Sequence, residues 1–289
     1  EKLFYDIDAS SYENLNQRLR VISKLLAGEK MIVIASLESL LDQMMIREVY
    51  ERYTQEIRFG EELNLELLMN DLVEAGYERV HMVEGIGQFS IRGGIIDIFS
   101  PNSLNPFRIE LFDEEVDSIR TFDAVGQRSL DVLDHISITP AKEVLILDEF
   151  RSIVYDNLKD ELDRHKYQDK AKEKYGRYLE SLEEKSYISN RHMILPFIPE
   201  QYLGSLVDYL SPNSMIFMDE PTASLDPISE VELYREIKQL TDDKTVIFVS
   251  HRVGFANMAD RIIVIDAGQI VENGTHDTLI TQNGYYAKF

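Results

Sequence analysis

The sequence predicts an α/β protein: a parallel sheet with crossover helices, carrying a small inserted β-rich domain. Three observations lead there. From Tyr12 to Leu26 apolar residues recur at spacings of three and four, at Leu15, Leu19, Ile22 and Leu26, and a continuous apolar run follows at Lys30 to Ala35. That is a helical stripe and then a buried strand. Between Glu84 and Phe112 the period changes to two, as in strands with one buried face. From Met215 onward apolar runs and amphipathic stretches alternate again, the rhythm of strands joined by crossover helices.

Taken in order, the first helix and strand are followed by a helix, a strand and another helix that reaches Tyr53. An amphipathic helix is expected over Leu63 to Ala75, ended by Gly76, which can supply a left-handed cap. Glu84 to Ser100 and Phe107 to Phe112 read as two antiparallel strands joined by a polar loop with Pro101 and Pro106. Arg92-Gly-Gly94 is expected to be a bulge rather than a phosphate loop. Asp117 to Arg120 and His135 to Thr139 are further strands. Asp148 to Tyr187 is dense in charge, with Ile153, Leu158 and Leu162 thinly spaced, and reads as a solvated helical hairpin or linker. Then come strand Met215 to Met218, helix Ser229 to Leu240, strands Thr245 to Ser250 and Arg261 to Asp266, an Ala267-Gly268 turn and strand Gln269 to Glu272. No internal repeat or low-complexity linker interrupts the chain. Four regions are expected: a partial α/β domain (1–60), the β-rich domain (61–145), a charged helical segment (146–204) and an α/β segment (205–289). The first and last are expected to form one composite α/β domain.

Composition narrows the function classes. With 289 residues, 44% of them hydrophobic, the chain can build real cores. Lys+Arg number 30 and Asp+Glu 52, a net charge of 30 minus 52, or -22. That charge repels phosphate backbones and anionic lipid, so no direct DNA binding is expected. Cysteine is absent, which excludes disulfides, thiolate zinc sites and cysteine nucleophiles and suits a cytoplasmic protein. The six histidines lack metal-ligand spacing. No apolar window of about 18 residues is present, and the opening residues are acidic, so neither a spanning helix nor a signal peptide is expected. The chain begins at Glu1 and is expected to be a fragment of a longer protein.

Within 77–143 the wording is specific: Tyr77-Glu-Arg-Val80, Gly87-Gln-Phe-Ser-Ile-Arg-Gly-Gly-Ile-Ile-Asp-Ile-Phe-Ser-Pro101, Arg108-Ile-Glu-Leu-Phe112, Asp117-Ser-Ile-Arg-Thr-Phe-Asp123, Gln127-Arg-Ser129 and Pro140-Ala-Lys-Glu143. In this, residues 1 to about 215 closely resemble the N-terminal UvrB-homology module of bacterial transcription-repair coupling factors. The resemblance implies that the inserted domain, like domain 2 of UvrB, docks UvrA, and that the surrounding α/β domain has lost its nucleotide machinery. It also implies that Arg92, Arg108 and Phe112 are the UvrA-contacting residues. Read directly, Arg108 and Phe112 lie an even number apart and share one strand face, while Phe107, Ile109 and Leu111 take the other. The alternative is that both arginines pair with surface carboxylates such as Glu110 or Asp113.

A second vocabulary follows: Met215-Ile-Phe-Met-Asp-Glu-Pro-Thr-Ala-Ser-Leu-Asp226, Val249-Ser-His-Arg252, and Asp260-Arg-Ile-Ile-Val-Ile-Asp-Ala-Gly-Gln-Ile-Val-Glu-Asn-Gly-Thr-His276. Residues from about 213 to 289 resemble the C-terminal part of an ABC transporter ATP-binding domain, and so a P-loop-type sheet. The resemblance implies that Asp219 helps hold Mg²⁺ through water, Glu220 polarises the attacking water, His251 senses the γ-phosphate, and Ser224 to Asp226 form a D-loop. Such a site would be incomplete. The chain has no Gly-Lys dipeptide, hence no Walker A loop, and no Leu-Ser-Gly-Gly signature. No cofactor is therefore expected for the chain alone, and ATP with Mg²⁺ only if another chain completes the site. A nucleotide-dependent dimer is not expected, although this half would normally sit on a transporter's membrane domain.

The two resemblances overlap at Met215 to Pro221, where both patterns carry a strand ending in Asp-Glu-Pro. The expected reading is a join of two sequences there, by recombination, by design or by misassembly of reads. Three functions follow: a non-catalytic UvrA-docking module of nucleotide excision repair fused to an incomplete ATPase segment; a fragment of an ABC ATPase completed elsewhere; or a chimeric product without a physiological role.

Overall fold

Apolar side chains gather around two separate cores in the first 209 residues, each built from segments distant in sequence. The computed structural model describes residues 12–164, 169–186, 188, 191–219, 227–250 and 256–288. These form two compact units, one ending at Tyr209 and one beginning at Leu210.

The first core starts with α1 (Tyr12–Leu26), which buries Leu19 and Ile22. After α2 (Leu37–Leu41) and β1 (Met44–Met45), α3 (Arg47–Arg52) adds Val49 and Tyr50. The chain then leaves to build the second core and returns at Val144 to Leu147. The return leads into a helical hairpin, and the sequence reading of that hairpin as a merely solvated segment needs correction. Its first helix (Asp148–Arg164) buries Phe150, Val154 and Leu158, and its second (Asp169–Glu183) buries Leu182. The buried stripe is spaced by four and falls between the charges, one residue out of step with exposed Ile153. Segments 12–53 and 144–209 thus share one core.

Lys30 to Ala35 forms no strand, contrary to expectation, and Ile32 and Ile34 are exposed. An apolar run becomes a strand only where a neighbour satisfies its backbone, and no described strand pairs with it.

The second core lies under a sheet that begins after β2 (Gln55–Arg58) and α4 (Leu65–Glu74). The Asn64 side chain caps α4, accepting from the Leu67 N–H at 3.0 Å. Gly76 ends it at φ 91°, where an added Cβ would stand 2.5 Å from the Lys142 side chain. The sheet runs β3 (Glu78–Arg79), β4 (Gln88–Arg92), β5 (Ile95–Ile98), β6 (Phe107–Phe112), β7 (Glu115–Phe122) and β8 (Ser129–Leu133), in that spatial order. β3 is parallel to β4, and the rest is an antiparallel meander. β9 (His135–Ile138) returns to pair with β2. The inner face presents Phe89, Ile96, Ile98, Phe107, Ile109 and Ile119, which join Leu68 and Leu72 of α4. Each such side chain contributes about 1.5–3 kcal/mol by leaving water.

Glu84 to Ser100, expected as one strand, is a hairpin, and Arg92-Gly-Gly94 is its turn rather than a bulge. Gly93 has φ 61°, at the first central position that a II′ turn reserves for glycine. An added Cβ on Gly94 would stand 2.9 Å from the Leu111 carbonyl oxygen.

A buried polar chain links the two cores. The Tyr77 hydroxyl donates to the Thr139 carbonyl at 2.6 Å and lies 3.0 Å from the Ser100 hydroxyl. The Thr139 amide donates to Ser100 Oγ, and Ser23 of α1 reaches the Thr139 hydroxyl at 3.1 Å. Tyr50 and Tyr209, both buried, likewise donate to the carbonyls of Lys142 and Met45.

The helices of the returning hairpin are α5 and α6 in chain order, and β10 (Leu203–Gly204) pairs with β1. In the second unit β11 (Met215–Asp219) runs parallel to β12 (Thr245–Val249), with α7 (Pro227–Leu240) between them in sequence. β13 (Ile262–Asp266) and β14 (Gln269–Gly274) form a hairpin turning at Ala267-Gly268, and α8 (His276–Gln282) follows. A larger parallel sheet is not formed among the described residues: each of these pairs is two-stranded.

Burial pushes the phenols of Tyr50, Tyr77 and Tyr209 above their ordinary value of 10.0. The unfolded chain ionises them near that value while the folded chain keeps them protonated. Stability is therefore fully present below pH 10 and falls as pH rises past it, by about 1.4 kcal/mol per pH unit for each tyrosine. Urea midpoints should be level from pH 7 to 9 and drop beyond 10, less steeply in Tyr77→Phe. The same variant leaves the Thr139 carbonyl without its donor and should cost about 1–3 kcal/mol at pH 7; midpoints unmoved by pH 11 would contradict the assignment.

Candidate functional site

The outer face of the six-stranded sheet carries two rows of side chains, most of them polar. Strand pairing aligns Ser90, Asp97, Arg108, Arg120 and Val132 in one row, from β4 to β8, and Arg92, Ile95, Glu110 and Ser118 in the next. Asp97 is central: directly opposite Arg108 and diagonal to Arg92. It is 1% exposed, although it belongs to the face that carries the charges.

Both predicted arginines converge on it. Arg108 forms a bidentate pair, Nε to Oδ1 at 2.6 Å and Nη2 to Oδ2 at 2.8 Å. Arg92 Nη2 donates to Oδ2 at 2.6 Å. Arg108 is held from two further directions. Its Nη2 reaches Gln127 Oε1 at 3.2 Å, and its guanidinium carbon lies 4.4 Å from the centre of the Phe122 ring, a cation–π arrangement. Hydrogen bonding to Asp97 lifts Arg108 above the ordinary guanidinium range, so it is cationic at any working pH. Gln127 is itself fixed by a backbone φ of 54° and a 2.8 Å bond from its amide to the Ala124 carbonyl.

The arginines thus pair with neither Glu110 nor Asp113, the partners that the alternative reading offered. Glu110 takes Arg120, and Ser118 Oγ donates to Glu110 at 3.1 Å. This matters because Arg108 and Arg120 stand directly opposite one another, a like-charge arrangement that is unfavourable unless each has its own acid.

Phe112 ends β6 opposite Glu115, at the tip of the β6–β7 hairpin, and is 74% exposed. The tip is tied back by Leu63 donating to the Glu114 carbonyl at 2.7 Å. Arg92 is 49% exposed and Arg108 16%. The structure therefore brings Arg92 and Arg108 together through Asp97 and sets Phe112 apart as a bare aromatic at the sheet end.

Sequence reasoning did not assign Asp97, Phe122 or Gln127 to the site. The signal was present for Asp97: one acid within the run Ile95-Ile-Asp-Ile-Phe99, at the parity that faces away from the core. Of the residues assigned to nucleotide chemistry, Asp219 is exposed at the end of β11, opposite Val249. Glu220, Ser224, Asp226 and His251 lie outside the described residues. Among the described residues no cluster of three metal-ligating side chains is present, and no helix is long and apolar enough to cross a membrane.

The sheet thus carries charged groups and an exposed aromatic on the face turned from its core, and residues 56–144, which build it, match the family model of the UvrB interaction domain. Over 228 residues, 76% of this chain, it is 37% identical to the transcription-repair-coupling factor of Bacillus subtilis strain 168. Over 224 residues, 74% of the chain, it is 33% identical to that of Staphylococcus aureus strain MRSA252. Each match covers 19% of the relative, so the chain spans about a fifth of the length of these proteins. Among solved structures, 28% of the chain matches 14% of a bacterial Atm1-family ABC exporter with ATP bound, at 28% identity and a TM-score of 0.25. That superposition is too poor to carry any statement about fold.

The burial difference between the two arginines sets their energetics apart. Arg108→Ala strips a buried carboxylate of its bidentate partner and should cost about 3–5 kcal/mol of stability. Arg92→Ala leaves that pair intact and should cost about 1 kcal/mol or less. Denaturant titrations of both variants check this, and equal losses would contradict it.

Proposed function

We propose that the chain is a non-catalytic module that docks UvrA in transcription-coupled nucleotide excision repair, using Arg92, Arg108 and Phe112. The observation that carries this is the outer sheet face, where two arginines are held by one carboxylate and Phe112 stands exposed at the end of the same sheet. Arginine and aromatic anchors are the side chains that dominate binding energy at protein interfaces. A backbone already ordered in the meander spares the ordering cost on association. The similarity of residues 56–144 to the UvrB interaction domain supports the same partner. The chain's net charge of -22 fits a role without direct DNA contact, and its lack of cysteine suits a cytoplasmic setting.

For the second unit we propose an incomplete ABC-type ATPase segment within a P-loop-type sheet, fused to the docking module. The parallel pairing of β11 with β12, with Asp219 at the carboxyl end, favours it, since ligands in parallel sheets bind at that edge. Asp219 would serve Mg²⁺ through water, and Glu220, Ser224, Asp226 and His251 would serve ATP only after another chain supplied a Walker A loop and signature.

The test is direct binding of the full chain to purified UvrA. Phe112→Ala and Arg92→Ala should each weaken affinity by about 10-fold or more, roughly 1.4 kcal/mol or above, with urea midpoints moved little. Wild-type affinity in both would refute the docking surface. Mg-ATP added to the chain alone should neither bind measurably nor be hydrolysed, and binding lost in Asp219→Ala would reverse that part of the reading.

A further inference from the structure

Asp97 has no role in the apolar core. Its neighbours Ile96 and Ile98 face inward to that core, while it lies buried on the opposite side of the sheet. Buried ion pairs are commonly replaceable by apolar residues of similar volume without loss of stability, so packing alone does not explain an acid there. What the carboxylate does is geometric. Both of its oxygens are used: Oδ1 by Arg108 Nε, Oδ2 by Arg108 Nη2 and by Arg92 Nη2. The bidentate contact fixes the plane of the Arg108 guanidinium, and the shared oxygen ties the Arg92 guanidinium to it. Phe122 and Gln127 close the other sides of Arg108.

Resting on the docking function proposed above, we infer that Asp97 is a positioning residue for that function. It orients Arg92 and Arg108 before the partner arrives, and it cancels one of their two positive charges. A pair of arginines joined to one carboxylate carries a single net positive charge. The patch therefore recognises its partner by directed hydrogen bonds more than by long-range attraction, and the partner surface need not supply an acid for each arginine. Losing the carboxylate frees two long side chains to sample other rotamers and adds a positive charge. Contacts formed only after docking then weaken, while charge-driven encounter does not.

The experiment measures association and dissociation rates of UvrA with the wild-type chain, Arg108→Ala, Asp97→Asn and the double variant, at low and moderate salt. Asp97→Asn should raise the dissociation rate about tenfold or more, equivalent to 1.4 kcal/mol at each factor of ten. Its association rate should be unchanged or higher at low salt and should fall more steeply with added salt. In the Arg108→Ala background the same substitution should raise the dissociation rate by a smaller factor, since only Arg92 is then left for the carboxylate to hold. A purely structural defect would lower the fraction of active chain and leave the dissociation rate of the remainder alone.

If Arg108→Ala binds as wild type, the docking function itself fails. If Arg108→Ala weakens binding but Asp97→Asn dissociates at the wild-type rate, the positioning role fails and the docking function stands. Equal losses from Asp97→Asn in both backgrounds also overturn it. Should Asp97→Asn not fold, the wild-type chain still decides the matter. Its Arg108 Nε–H should give a resolved, slowly exchanging NMR resonance, and free rotation of that guanidinium overturns the inference.

Discussion

A carboxylate buried in the middle of a β-sheet must be met by charge and by hydrogen bonds, or the strand that carries it is not stable. Asp97 imposes that condition on the outer face of the six-stranded sheet. Because β5 lies between β4 and β6, the acid can be reached from both sides, by Arg92 diagonally and by Arg108 directly. Arg108 then faces Arg120 across the next ladder, and that repulsion is answered by Glu110 and Ser118. The loop at Asp123 to Arg128 turns so that Gln127 meets Arg108. The buried acid thus pairs Arg92 and Arg108, and Glu110 takes Arg120, so each arginine of strands β4 to β7 on this face has an acid.

The inner face obeys a different constraint, and the two together make the domain rigid. Isoleucine and phenylalanine from four strands pack on α4, so each strand is pinned on one side by apolar contact and on the other by ion pairs. The domain is not simply threaded between two linkers. Tyr77, Ser100 and Thr139 form a buried hydrogen-bonded knot that Ser23 of α1 joins, so the second core is fastened to the first by directional bonds. Such a network tolerates little displacement, because each group that loses its partner stays buried.

The second unit contrasts with this. Its strands carry the continuous apolar runs of a parallel sheet covered on both faces, yet among the described residues each pairs with a single neighbour. Met215, Phe217, Val249, Ile263, Ile265 and Ile270 are exposed in consequence. Among the described residues its buried side chains form small groups: Ala256, Leu279 and Tyr286 gather beside β13, and Tyr234 of α7 is buried with its ring edge-on to Phe248 of β12. Patterning of this kind suits strands with a neighbour on each side, and among the described residues each strand has one.

What could be read from the sequence was whatever depends on near neighbours in the chain. The helix over Tyr12 to Leu26, the capped helix ending at Gly76, the strand of Phe107 to Phe112 and the hairpin at Ala267-Gly268 all follow from local period and turn chemistry, and the structure has them. Failures came where a distant partner decides. Lys30 to Ala35 has strand composition but no described strand beside it, and the charged hairpin from Asp148 buries a stripe whose target includes the turn at Arg191–Phe197 and the ring of Tyr202. The site divides along the same line. The shared face of Arg108 and Phe112 is a matter of parity within one strand. The acid that holds Arg108 is 11 residues away, and only the order of strands makes them neighbours. An isolated aspartate at outward parity in an isoleucine-rich strand is nevertheless a legible sign. Its flanking isoleucines turn to the core and leave the acid on the outer face, and its burial there is what calls for a cation on an adjoining strand.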